Sequence, residues 1–169
     1  MATALEDLEV LESAAMVADS IWGIVSQWDR FVRDGMGQQL TSAVDSVGAN
    51  IAESFGRFHY GEKLNFLYFA RGSLFETKYW LNRCRARNLL VQELFATYAQ
   101  QLTTIAKQLN AFAHSLKKQK QQSKNNTLRE TYPEYTVSSP LFTDEDLNWL
   151  ASPLPTTQSP IPNLESLKG

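Results

Sequence analysis

The sequence predicts an all-α protein: an antiparallel up-down four-helix bundle followed by a largely disordered Pro/Ser-rich C-terminal tail. Three observations lead there. All six prolines fall after residue 132, so no proline interrupts a helix before that point. Apolar residues recur at steps of three and four through four successive stretches. The connections between those stretches are short, which favours antiparallel neighbours. At 169 residues and 43% hydrophobic content, the chain is long enough for one core plus a tail.

The first helix is expected over 5–34. Leu8, Leu11, Ala15, Ala18, Trp22, Val25 and Val32 form a heptad-like seam that skips a turn near Trp28, and "DGMG" at 34–37 stops it. The second covers 37–57, with Leu40, Val44, Val47, Ile51 and Phe55 as its stripe. Its other positions are lean (Ser42, Ala43, Ser46, Gly48, Ala49, Ala52, Ser54), so it should sit deep between its neighbours, with Gly48 serving close packing. The third covers 61–86 and carries Leu64, Phe66, Leu67, Tyr68, Phe69, Leu74, Phe75, Tyr79, Trp80 and Leu81. These do not fit one stripe, and the surplus aromatics suggest a second interface, most simply self-association. The fourth covers 90–122. Leu94, Tyr98, Leu102, Ile105, Leu109, Phe112 and Leu116 give the cleanest periodic signal in the chain.

The polar run "KKQKQQSKNN" at 117–126 marks the domain boundary, with the bundle at 1–126 and the disordered tail at 127–169. One stretch of the tail looks ordered, a short acidic helix at 143–150 within "LFTDEDLNWL". Thr143 can cap it, Asp144, Glu145 and Asp146 fill its first turn, and Phe142 and Leu147 stand at staple positions. With Leu147, Trp149 and Leu150 it has the pattern of a docking peptide, or of a transient helix with no partner.

The net charge of −2 conceals a pattern: residues 1–34 carry −5, residues 35–126 carry +7 and residues 127–169 carry −4. The basic middle reads either as solvated helix faces or as a patch for a polyanion shielded by acidic arms. A single cysteine, Cys84, forms no internal disulfide, which points to a reducing, cytoplasmic setting. The N-terminal stretch lacks a signal-peptide pattern, and no run of 18 apolar residues offers a membrane span.

"QLTSAVDSVGANIAESFGR" and "KLNFLYFARGSLFETKYWL" resemble the four-helix-bundle proteins encoded in intervening sequences of bacterial 23S ribosomal RNA genes. The likeness covers roughly residues 8–116, and "NIAE…GR" at 50–57 with "ARGSLFE" at 70–76 is its most specific part. The accessory variability protein of diversity-generating retroelements looks like a relative with the same bundle. The resemblance implies a ring-like homopentamer without catalysis. For the retroelement relatives it implies binding of a reverse transcriptase and of nucleic acid through a basic surface. Ser42 stands where the family commonly has arginine, Gly48 where it has proline or alanine, and Ser54 where it has glycine.

Ser42, Ser46, Asn50, Glu53 and Arg57 form one polar stripe on the second helix. The flanking alanines favour a structural role for Asn50 and Glu53, reaching across a close helix contact to Arg71 or Ser73. Candidate nucleic-acid contacts are Arg83, Arg85 and Arg87 at the end of the third helix. Lys117, Lys118, Lys120 and Lys124 at the end of the fourth are further candidates. Both clusters also read as helix-dipole complements. The two clusters are expected at opposite poles of a subunit. An enzyme reading has little to stand on: His59 and His114 have no ligand spacing around them, Cys84 has no evident partner base, and there is no phosphate loop or nucleophile elbow. No metal or cofactor is expected. Two classes remain: an RNA- or DNA-binding accessory protein, in the manner of a reverse-transcriptase partner, or a purely structural or protein-binding oligomer.

Overall fold

The computed structural model describes residues 9–123 and 139–154, and every regular element among them is helical. The elements are α1 (Glu9–Val25), α2 (Arg30–Val32), a π-helical turn (Arg33–Gly37), α3 (Gln38–Gly56), α4 (Tyr60–Ala86), α5 (Gln92–Ser123) and α6 (Asp144–Ala151). Leu8, Lys124 and the tail stretches 127–138 and 155–169 lie outside the described residues.

The first expected helix is shorter than its periodicity suggested, and its seam is shifted. It ends at Val25. Asp29 then caps a new turn, its carboxylate accepting from the Phe31 and Val32 N–H groups at 3.0 and 3.2 Å. "DGMG" does not stop the chain. It forms the π-helical turn that runs directly into α3. The buried face of α1 is Val10, Ala14, Val17, Ala18, Ile21 and Val25, whereas Ala15 and Trp22 face outward. Steps of three and four fit both faces of α1, and only contact with α3 and α5 decides between them.

α3 packs most extensively on α4, and α1 packs on both α3 and α5. Cross-helix pairs run in opposite senses. Ser54 Oγ donates to the Lys63 carbonyl at 2.8 Å and Asn50 Nδ2 to Ser73 Oγ at 3.3 Å. Ser20 and Tyr98 share a hydrogen bond of 2.9 Å, and Gln108 Nε2 donates to Glu9 at 3.1 Å. One end of the helices gathers Ile21, Val25, Trp28, Leu40, Leu81, Leu90 and Tyr98 around a common apolar contact. α4 closes there with Asn88 in the left-handed region (φ 57°), and Leu89 N–H donates back to the Cys84 carbonyl at 2.9 Å.

Residues 139–154 are not a separate tail. Leu141, Phe142 and Leu150 are buried in the same core as the long helices. Thr143 and Asp146 form a capping box for α6, whose shape then brings Leu150 inward. The boundary drawn at 126 therefore cuts through one core, because an apolar segment distant in sequence completes it.

Gly48 is not the glycine that packing requires. A Cβ there would sit 3.9 Å from Ala14 Cβ, an ordinary contact. At Gly37 it would meet Val25 Cγ1 at 2.6 Å. Gly37→Ala should therefore lower stability by about 1–3 kcal/mol, while Gly48→Ala should raise it by up to about 1 kcal/mol. Urea unfolding of both variants checks this, and similar midpoints would contradict the packing assigned to the π turn.

Candidate functional site

Two regions concentrate polar chemistry: a groove along α4 and α5, and the arginine-bearing end of the helices. The groove starts from a lysine where periodicity calls for an apolar residue. Leu67, Leu74 and Leu81 are buried on α4, and Lys78, in step with Leu74 and Leu81, is 0% exposed. Its ammonium donates to the carbonyls of Leu150, of Ser152 at 2.6 Å and of Trp149 at 3.4 Å, at the C-terminal end of α6. That helix end carries partial negative charge and unpaired carbonyls, so it is a natural partner for a cation. The ring of Phe95 lies 4.9 Å from the same nitrogen. Burial, with the Arg85 guanidinium as a second influence, pushes the Lys78 ammonium down to about 8.

The rest of the groove grips the backbone of residues 139–154 from both helices. Asn110 holds both backbone groups of Phe142, donating to its carbonyl at 2.8 Å and accepting from its N–H at 2.7 Å. Asn82 accepts from Leu154 N–H at 2.9 Å, and Arg85 donates to the Leu154 carbonyl at 2.7 Å. Lys117 donates to the Ser139 carbonyl at 3.1 Å. Arg71 pairs with Asp146 at 3.0 Å and lies over the rings of Phe75 and Phe142. Phe75 also packs on Trp149 with ring centroids 5.1 Å apart. Part of the aromatic surplus on α4 is thus covered by this segment. Phe69 and Tyr79 remain 58% and 46% exposed.

The sequence-derived candidates scatter accordingly. Arg85 and Lys117 are engaged with residues 139–154, so they do not form an open basic patch. Arg87 is exposed, with Nη1 3.9 Å from Met36 Sδ in the π turn. Arg83 is half-buried on the last turn of α4. The Arg87–Met36 contact sets the end of α4 beside the turn that bears Arg30, Phe31 and Arg33, with Phe31 90% exposed. Arg30 and Arg33 pair with Asp34 at 3.3 and 3.5 Å. Lys118 and Lys120 sit at the far end of α5.

In the polar stripe, Asn50 reaches Ser73, but Glu53 does not cross to α4. It pairs with Arg57 on the solvent side of α3, so its expected register-fixing role is corrected. Arg71 serves α6 instead of the stripe. The residues missed by pattern reading are Lys78, Asn82 and Asn110. The available signal was a lysine in step with buried leucines.

His59 precedes α4 and His114 is exposed on α5. Among the described residues no group of three His, Cys, Asp or Glu side chains is placed to hold a metal. Cys84 is buried, and burial pushes its thiol up to about 12, so the nucleophilic thiolate is scarce near neutral pH. No described helix is long and apolar enough to cross a membrane.

Residues 6–111 match the family model of the 23S rRNA-intervening sequence protein. The chain belongs to this family. No curated protein matches it. The match spans α1 to most of α5, and so includes Arg83, Arg85, Arg87 and the lysine that anchors the groove. The segment that fills the groove lies beyond the matched residues.

Two expectations follow from this geometry. Lys78 has a folded pKa below its unfolded value of 10.5. Between those values the unfolded chain binds more protons, so the Lys78 contribution to stability rises with pH from about 8 to 10.5. The stability of wild type minus that of Lys78→Met should therefore climb across that window by up to about 3 kcal/mol. Taking the difference removes the opposing contribution of Cys84. A flat difference in urea titrations would show that the ammonium is not buried. Separately, Glu53→Ala should cost no more than about 0.5 kcal/mol, as for an exposed i,i+4 pair, again read from urea midpoints.

Proposed function

We propose that this member of the family is a non-enzymatic, self-assembling antiparallel four-helix bundle that binds structured RNA through the arginine-bearing end of its helices. The observation that carries the reading is the contact of Arg87 with Met36, which sets the last turn of α4, with Arg83, beside the turn that bears Arg30, Arg33 and exposed Phe31. Arginines offer phosphate contacts, and an exposed ring between them offers a stacking surface. Self-assembly into a ring, with five copies as the expected number, would multiply these modest contacts into a band of charge. The outward-facing Met16 and Trp22 of α1, with Phe69 and Tyr79 of α4, supply apolar surface for that assembly. A reverse transcriptase is a further partner in keeping with the retroelement resemblance, and a cytoplasmic setting fits a reduced, buried Cys84.

A second reading is a protein-binding oligomer without nucleic acid. It draws on the ion pairs of Arg30 and Arg33 with Asp34, which neutralise part of the same end.

Light scattering on the full chain should give a particle of about five times the 19.1 kDa chain mass, and a monomer at micromolar concentration would overturn self-assembly. Fluorescence anisotropy with a structured RNA should show binding that weakens with salt. The double variant Arg83→Gln with Arg87→Gln should weaken binding and reduce the log–log salt slope by about 1 to 2. An absence of binding at low salt leaves the protein-binding reading.

A further inference from the structure

The groove between α4 and α5 is built as a peptide-recognition site. Five of its six polar grips, from Lys78, Asn82, Arg85, Asn110 and Lys117, take backbone groups of residues 139–154. The sixth, Arg71, takes the Asp146 carboxylate. The occupant is self-contained in shape. Thr143 and Asp146 cap α6 reciprocally, so its helix is fixed by contacts within the segment itself. None of these grips depends on the segment arriving from the same copy of the chain.

We propose that residues 139–154 exchange between copies, the segment of one subunit occupying the α4–α5 groove of its neighbour in the assembled protein. This rests on the self-assembly read above.

The connection permits it. Ser139 is held at Lys117, only six residues before Ser123, a rise of about 9 Å along α5. The intervening residues 124–138 number 15 and can span up to about 50 Å. Docking on the chain's own groove needs only a fraction of that reach. The same length equals the roughly 48 Å of α5, the scale of a subunit's long dimension. Identical local contacts in the two arrangements make exchange cheap once subunits assemble, the ordinary condition for swapping an element between protomers. High local concentration of the segment in an assembly further favours it. Exchange would also join neighbouring subunits through a segment outside the family-matched residues.

The test uses the full chain. One preparation carries the photo-cross-linking residue p-benzoyl-phenylalanine in place of Trp149, which packs on Phe75 of α4. It is mixed with an equal amount of nitrogen-15-labelled wild type, and the two are unfolded and refolded together. After irradiation, mass spectrometry reads whether the α4 peptide joined to position 149 is heavy or light. Exchange predicts that about half of the joined α4 peptides are heavy, since a neighbour is labelled half the time. Only light α4 peptides would overturn the proposal. If that result comes from particles whose light scattering shows an oligomer, self-assembly stands and exchange alone fails. A monomeric particle overturns both. Should the probe at 149 prevent folding, the same measurement with the probe at Leu147, half-buried on α6, gives the same two outcomes.

Discussion

Covering α4 on three sides is the constraint that organises this molecule. α4 is 27 residues long and has apolar or aromatic side chains around most of its circumference. α3 covers one side with small residues. Ser54 is fully buried there and donates to the Lys63 carbonyl, and Asn50 reaches Ser73. α5 covers the second side with a continuous stripe of Phe95, Tyr98, Leu102, Ile105 and Leu109. The third side, bearing Phe75 and Lys78, needs both apolar cover and hydrogen-bond acceptors. A charged group taken from water without partners is heavily penalised. A helix end offers several free carbonyls together, and α6 brings its end to that position.

This arrangement separates two kinds of basic residue that composition cannot tell apart. Lys78, Arg71, Arg85 and Lys117 donate to residues 139–154 of the same chain. Arg87 stands at the surface of the helix end, beside the turn that carries Arg30 and Arg33. The net charge of the middle of the chain therefore overstates the charge available to a polyanion. Part of what remains stands at one end beside exposed Phe31, and part, with Lys118 and Lys120, at the far end of α5. Family membership rests on residues 6–111, and the arginine end and every groove grip except Lys117 fall within them. The cover over the groove does not.

The sequence by itself determined the helical class, the positions of α3, α4 and α5, and the family. Unbroken 3.6-residue periodicity without proline has few other solutions, and α5 in particular follows its stripe residue by residue. The capping pattern of Thr143 and Asp146 was equally legible, because a capping box is a contact between residues three apart. Tertiary structure alone decided which face of α1 is buried, since two faces carry similar apolar content and contact with α3 and α5 selects one. It decided that Glu53 stays in water with Arg57 while Asn50 crosses to Ser73, a difference of less than one helical turn. It decided that residues 139–154 close the core and supply the acceptors that let Lys78 be buried, because those contacts join positions 71 to 74 residues apart, and the step of Lys78 with Leu74 and Leu81 does not name its partners.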